Sequence, residues 1–129
     1  MGANARKLVT NMNIKIASAY TTAPGPREIS EGKFSGEQFR KELLLPRVRE
    51  ACEQRCVLTI DLDGTSGYGT SFLEESFGGL IREDNLNLAT LDSVLHFISK
   101  EEPDLLLEIR EYMEDAEREK RSLRDHETR

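Results

Sequence analysis

Met12, Ile14 and Ile16 alternate with Asn13, Lys15 and Ala17, the period of two of a strand with one buried face. This predicts a first strand over residues 12–20. Residues 21–26 are dense in turn formers, and Pro24 and Pro26 have no amide to give a central ladder, so the chain leaves the sheet or reaches an edge there. Residues 27–30 are read as a short second strand. Ser35-Gly36-Glu37-Gln38 has capping-box spacing and starts a helix at Gly36. Phe39, Leu43 and Leu44 continue it until Pro46, which either kinks the helix or opens a fresh one with Val48, Ala51 and Cys52 facing inward.

Residues 56–62 form a nearly continuous apolar run closed by Asp63-Gly64, the pattern of a central strand buried on both faces. Three glycines, Gly64, Gly67 and Gly69, crowd the loop that follows. Ser71 and Glu74 repeat the capping-box spacing, and Phe72, Leu73, Phe77, Leu80 and Ile81 recur with helical period. Leu86, Leu88 and Leu91 suggest a short helical connection, residues 94–98 another buried strand, and residues 101–113 an amphipathic helix with acids in its first turn. Residues 114–129 hold six acids, five bases and almost no apolar side chain, which predicts a solvated helical extension.

The expected organisation is a polar N-terminus (1–11), one domain (12–113) and a charged C-terminal helix or tail (114–129). Helices alternating with apolar strands argue for an α/β domain: a small mixed or mostly parallel sheet with flanking helices. Ligands and partners of such sheets gather at the carboxyl ends of the strands. That edge carries residues 61–71.

Composition narrows the function classes. A chain of 129 residues with 33% charged residues and a net charge of −6 is a poor match for nucleic acid, whose phosphates demand a cationic surface. No apolar run approaches the ~20 residues that span a bilayer, and the start lacks the apolar core of a secretory signal, so the cytoplasm is the expected compartment. Cys52 and Cys56 read as reduced, partly buried thiols, because no third cysteine or histidine stands near enough in sequence to complete a zinc site. His96 reads as a core or sheet-face residue. No cofactor is called for, and the oligomeric state is left open.

Val57-Leu58-Thr59-Ile60-Asp61-Leu62-Asp63-Gly64-Thr65 resembles the first motif of haloacid-dehalogenase-type phosphatases. That resemblance implies Asp61 as nucleophile, Asp63 as general acid/base and a magnesium ion. The later lysine and acidic pair of such enzymes are not recognisable in the 66 residues after Asp63, so a small phosphatase ranks third among the readings.

A second resemblance covers more of the chain. Gly25-Pro26-Arg27, the run from Glu31 to Arg40, Leu45-Pro46, Asp61-Leu62-Asp63-Gly64 and the run from Thr70 to Leu80 resemble, in order, the STAS-like domain family of unknown function. It implies the fold of anti-sigma-factor antagonists, a small sheet with helices mainly on one side. In better understood antagonists a serine at the start of the helix after the central strand is phosphorylated by a partner of the histidine-kinase-like ATPase fold, which breaks the complex. Ser71 takes that place and Thr70 the place before it, although Gly69 and Phe72 replace the motif's aspartate and glycine. The first reading is therefore a non-enzymatic regulatory module binding an ATPase or kinase-like protein through residues 67–75. Tyr68 and Phe72 are the expected aromatic anchors, and Gly69, Thr70, Ser71 and Glu75 complete the surface. The simpler role for Ser71 is a helix cap. The second reading is a ligand-sensing domain, with Arg27, Arg40 and the Gly64 loop forming an anion site for a nucleotide or other phosphorylated molecule.

Overall fold

A computed structural model describes residues 11–127. Three strands, β1 (Met12–Lys15), β2 (Leu58–Asp61) and β3 (Leu95–Ile98), form a sheet of order β1-β2-β3. Both pairings are parallel, with Ile14 opposite Ile60 and Ile60 opposite Phe97. The expected central strand is therefore central, but it is buried on one face only, with Thr59 and Asp61 half-buried on the other, and β3, expected to be buried, is largely half-buried with His96 exposed; among the described residues the sheet is parallel throughout. Its pleat separates two faces. Ile14, Leu58 and Ile60 are essentially inaccessible under a helical layer, whereas Asn13, Lys15 and His96 are exposed on the other face.

The first strand is shorter than its alternation suggests. After Lys15 the chain turns into a single helical turn, α1 (Ile16–Ala19), and Thr21 and Tyr20 both donate to the Ile16 carbonyl. Ile16 is fully buried in either geometry. The expected strand at 27–30 is a 3₁₀ turn, Ile29–Glu31, closed by a reciprocal capping box between Glu28 and Glu31. That local side-chain exchange satisfies amides that a strand would have sent to a neighbour.

Two long helical segments cover the sheet, and each contains a π-helical turn. In the first, α2 (Gly36–Phe39), the π turn Arg40–Leu44 and α3 (Leu45–Gln54) follow without a break. Ser35 Oγ accepts from Gln38 N at 3.0 Å, as its spacing predicts, but the Gln38 side chain donates to Glu42 instead of reaching back. Pro46 stands in the first turn of α3, and the widened turn ahead of it accommodates the missing donor, so the helical run continues through it. Arg55, at φ 56°, ends the helix in the left-handed conformation, with Cys56 N donating to Ala51 O. The two cysteines are free, Cys56 buried and Cys52 half-buried.

The second segment joins α4 (Thr70–Leu73), the π turn Glu74–Gly78 and α5 (Gly79–Arg82). Phe72, Leu73, Phe77, Leu80 and Ile81, the predicted stripe, are all fully buried. The two segments meet at Gly36, where a Cβ would lie 2.7 Å from the Phe72 carbonyl oxygen. Glycine is required there by that close approach. α6 (Leu88–Val94) is capped by Asn87, and α7 (Asp104–Glu127) closes the domain. α7 starts later than predicted, with Asp104 the only acid in its first turn. Its contacts run beyond the expected domain end: Ala116 is buried, Glu117 accepts from Leu88 N, and Lys120 Nζ donates to Leu86 O. The expectations for residues 1–10 lie outside the described residues.

Candidate functional site

The loop after β2 is held by its own polar groups. Asp61 Oδ1 accepts from Asp63 N at 3.0 Å, and Asp63 in turn accepts from the Lys100 and Glu101 amides at 3.1 and 3.0 Å. The carboxylate thus ties the loop to the turn after β3, and the Glu101 amide bond, with that of Lys100, holds the Asp63 carboxyl below its ordinary pKa. Gly64, at φ 93°, donates its N–H to Glu101 Oε1 at 2.8 Å. Thr65 Oγ1 accepts from Gly67 N. Asp61 and Asp63 therefore serve as backbone acceptors. Among the described residues no group of three or more His, Cys, Asp or Glu could hold a metal ion.

Tyr68 anchors the far side of the loop. Its hydroxyl donates to Leu62 O at 2.8 Å, and burial pushes its pKa up to about 12. Its ring lies 5.9 Å from that of Phe72, which stacks on Phe39 at 5.8 Å. Phe72 has no exposed surface, so the expected aromatic anchor is a core residue. The ring fills the cleft between the two helical segments, where its transfer from water stabilises the fold.

Gly69 is the N-cap of α4, and no side chain caps the helix. This corrects the expected Ser71–Glu74 capping box: Ser71 is already inside the first turn, and Glu74 is engaged elsewhere. Gly69, Thr70 and Ser71 are exposed. No hydrogen bond among the described residues uses the Thr70 or Ser71 hydroxyl. Of the six surface residues expected, these three face solvent, Tyr68 does so in part, and Phe72 and Glu75 are buried.

Glu75 belongs to a different cluster, built where the two π turns face each other. Arg40, only 2% exposed, donates Nε to Glu75 O at 3.1 Å, Nη2 to Glu75 Oε2 at 2.8 Å and Nη1 to Asp84 Oδ2 at 2.8 Å. Arg27 and Arg82 both pair with Glu74, and each also reaches Glu75, at 3.3 and 3.4 Å. Burial pushes the Glu74 carboxyl up, but hydrogen bonds from Arg82 and Arg27 outweigh it and leave the pKa lowered. Three arginines and three carboxylates thus neutralise one another.

The expected anion site is corrected by this arrangement. Arg27 and Arg40 are bound to carboxylates, and the Gly64 amide is taken by Glu101. A cleft of about 730 Å³ opens beside the cluster, but Glu28, Glu37, Glu75, Glu83 and Asp84 line it against Arg40 and Lys41. Such a surface repels phosphate. Arg82 and Asp84 were missed by the sequence reading, and Glu74 was read only as the partner of a cap. The signal available was Arg40 itself, which occupies the row Gly36, Arg40, Leu44, Val48, all buried at a spacing of four. A charged residue in such a row demands a buried partner.

His96 lies exposed on the open face of the sheet. No helix among the described residues is long and apolar enough to cross a membrane. Comparison with the curated proteins and with the solved structures gives no match. The family model described as a STAS-like domain of unknown function matches residues 35–105. That span is more than half of the chain and contains both helical segments, β2, β3 and the loop between them, so the chain belongs to this STAS-like family.

Proposed function

We propose that the chain is a non-enzymatic regulatory module that binds a protein partner through residues 67–71 and is switched by phosphorylation of Ser71. The observation that carries this reading is the pair of exposed, unbonded hydroxyls on Thr70 and Ser71, directly followed by the fully buried Phe72 and Leu73. The hydroxyls are thereby presented on a rigid seat. A phosphate there adds about −1.5 to −2 charges. It sits at the favourable end of the helix, so it changes the surface without breaking the fold. The STAS-like resemblance supports an ATPase or kinase of the histidine-kinase-like fold as the partner, and the cytoplasm stays the expected compartment.

The test is titration calorimetry with such an ATPase, together with phosphosite mapping after incubation with ATP. Ser71→Asp should weaken the complex by about tenfold or more, equivalent to about 1.4 kcal/mol, whereas Ser71→Ala should leave it within about twofold because no cap is lost. Affinity unchanged by Ser71→Asp, with contacts mapping to α7, would refute the proposal.

A further inference from the structure

The last turns of α7 gather positive charge that the proposed switch does not use. Glu117, Lys120, Arg121 and Arg124 follow one another at spacings that put them on one face of the helix. With Asn85 and Asn87, from the turn before α6, they line a cleft of about 430 Å³. Three cations stand there against one carboxylate, in a chain whose net charge is −6. The other acids of this stretch, Glu119 and Asp125, do not line the cleft.

The one carboxylate is already committed. Glu117 is buried, and it accepts from Leu88 N at 2.9 Å and from Arg121 Nε at 3.0 Å. The Leu88 amide, with help from Arg121, holds its pKa below the ordinary value. What remains in the cleft is a set of donors. Arg121 spends only Nε, so both its terminal amino groups are unused among the described residues. Lys120 Nζ donates to Leu86 O at 2.6 Å, which fixes the half-buried ammonium and leaves two of its three protons free for a ligand. Arg124 makes no hydrogen bond or ion pair among the described residues, and neither does the side chain of Asn85.

We propose that this cleft binds the phosphate monoester group of a small molecule. Two guanidinium forks and an ammonium on one helical face match a tetrahedral group that offers several acceptor oxygens and a double negative charge. A carboxylate ligand would bring half that charge and leave a cation unanswered. The cleft lies within the roughly 300–1,000 Å³ of small-molecule sites. It differs in kind from the cluster around Arg40, where three carboxylates cancel three arginines and an anion has nothing to bind. Here the single carboxylate answers only Arg121, so the charges of Lys120 and Arg124 are left for the ligand. A phosphate held by both α7 and the turn at Asn85 ties the end of the long helix to the domain, extending the anchor that Glu117 and Lys120 already make.

The test is heteronuclear NMR of the full chain, titrated at constant ionic strength with glycerol phosphate at about pH 7.5, above the second phosphate pKa of about 6. Saturable shifts should centre on Asn85, Lys120, Arg121 and Arg124, with a dissociation constant of about 1 mM or below. Lys120→Gln and Arg124→Gln should each raise that constant about fivefold or more. Arg124→Gln should leave the urea unfolding curve unchanged, because its side chain has no partner among the described residues. If Lys120→Gln destabilises the fold through the lost bond to Leu86 O, the Arg124 variant decides. No shift up to about 10 mM ester overturns the proposal, since binding weaker than that is not specific recognition. So do equal shifts from sodium chloride at the same ionic strength, which would show general screening, shifts centred on other residues, and an affinity that Arg124→Gln leaves unchanged.

Discussion

Replacing Arg40 by alanine should be among the most damaging single changes to the fold. The guanidinium is 3% exposed as a side chain and holds Glu75 and Asp84, themselves 11% and 14% exposed. Removing one partner of a buried pair costs about 3–5 kcal/mol, because the remaining charge is left desolvated. Two features set the value near the lower end. Glu75 keeps Arg27 and Arg82 at 3.3 and 3.4 Å, and Asp84 is close enough to the surface to rehydrate. The expected loss is therefore about 3 kcal/mol, a large part of the roughly 5–15 kcal/mol that stabilises an ordinary domain. At about 4 °C per kcal/mol for a chain of this size, the melting temperature should fall by about 12 °C. Arg40→Lys should cost less but still more than about 1 kcal/mol, since an ammonium cannot reproduce the fork that binds Glu75 twice and Asp84 once. Urea unfolding followed by circular dichroism measures both. If Arg40→Ala costs under about 1 kcal/mol, or if its effect simply adds to that of Glu75→Met in the double variant, the cluster is not coupled as described.

Gly79→Ala should destabilise despite its better helix propensity, because the added Cβ would lie 2.5 Å from Arg40 Nε and 2.9 Å from Cδ; overpacking of about 1–3 kcal/mol exceeds the ~1 kcal/mol gained, and a higher melting temperature would contradict this. Glu74 titrates below its ordinary 4.5 in the folded chain because the two arginine hydrogen bonds outweigh burial. Its stabilisation is therefore complete above about pH 4.5 and lost as pH falls through the folded value. Glu74→Gln should flatten the stability profile in that acid range, and an unchanged acid limb would remove Glu74 from the network. With magnesium and a generic phosphate ester, no turnover dependent on Asp61 is expected, since Asp61 and Asp63 bind backbone amides. Hydrolysis abolished by Asp61→Asn would reinstate the phosphatase reading.

What could be read in the sequence was what local chemistry decides. The Val57 to Leu62 run gave the central strand because a strand in the middle of a one-layer sheet needs apolar side chains at Leu58 and Ile60. Ser35 gave the helix start because its hydroxyl accepts from the Gln38 amide three residues on. The alternation Met12, Ile14, Ile16 was ambiguous for a physical reason: Ile16 is buried whether it ends a strand or begins a helical turn. Ser71-x-x-Glu74 has the same spacing as a capping box, but Glu74 is drawn to Arg27, 47 residues away in sequence. Charge pairing over that distance leaves no local trace. Phe72 likewise reads as a loop-end aromatic until Phe39 is placed against it.

The same long-range ties narrow the proposed partner surface. Phe72 and Glu75 are withdrawn into the aromatic and ionic clusters, and Arg27 and Arg40 are neutralised, so of the expected anchors only Tyr68, half-buried and bound to Leu62 O, reaches the surface near Ser71. Binding energy at interfaces concentrates in buried aromatic and arginine anchors, and this chain offers none at residues 69–71. A partner meeting the loop must bring its own anchor, and the chain's contribution is a flat, glycine-flanked pair of hydroxyls. Such a surface binds weakly when neutral and changes most, in proportion, when it becomes charged. The weakness of the contact is thus the property that would let a single phosphate at Ser71 release it.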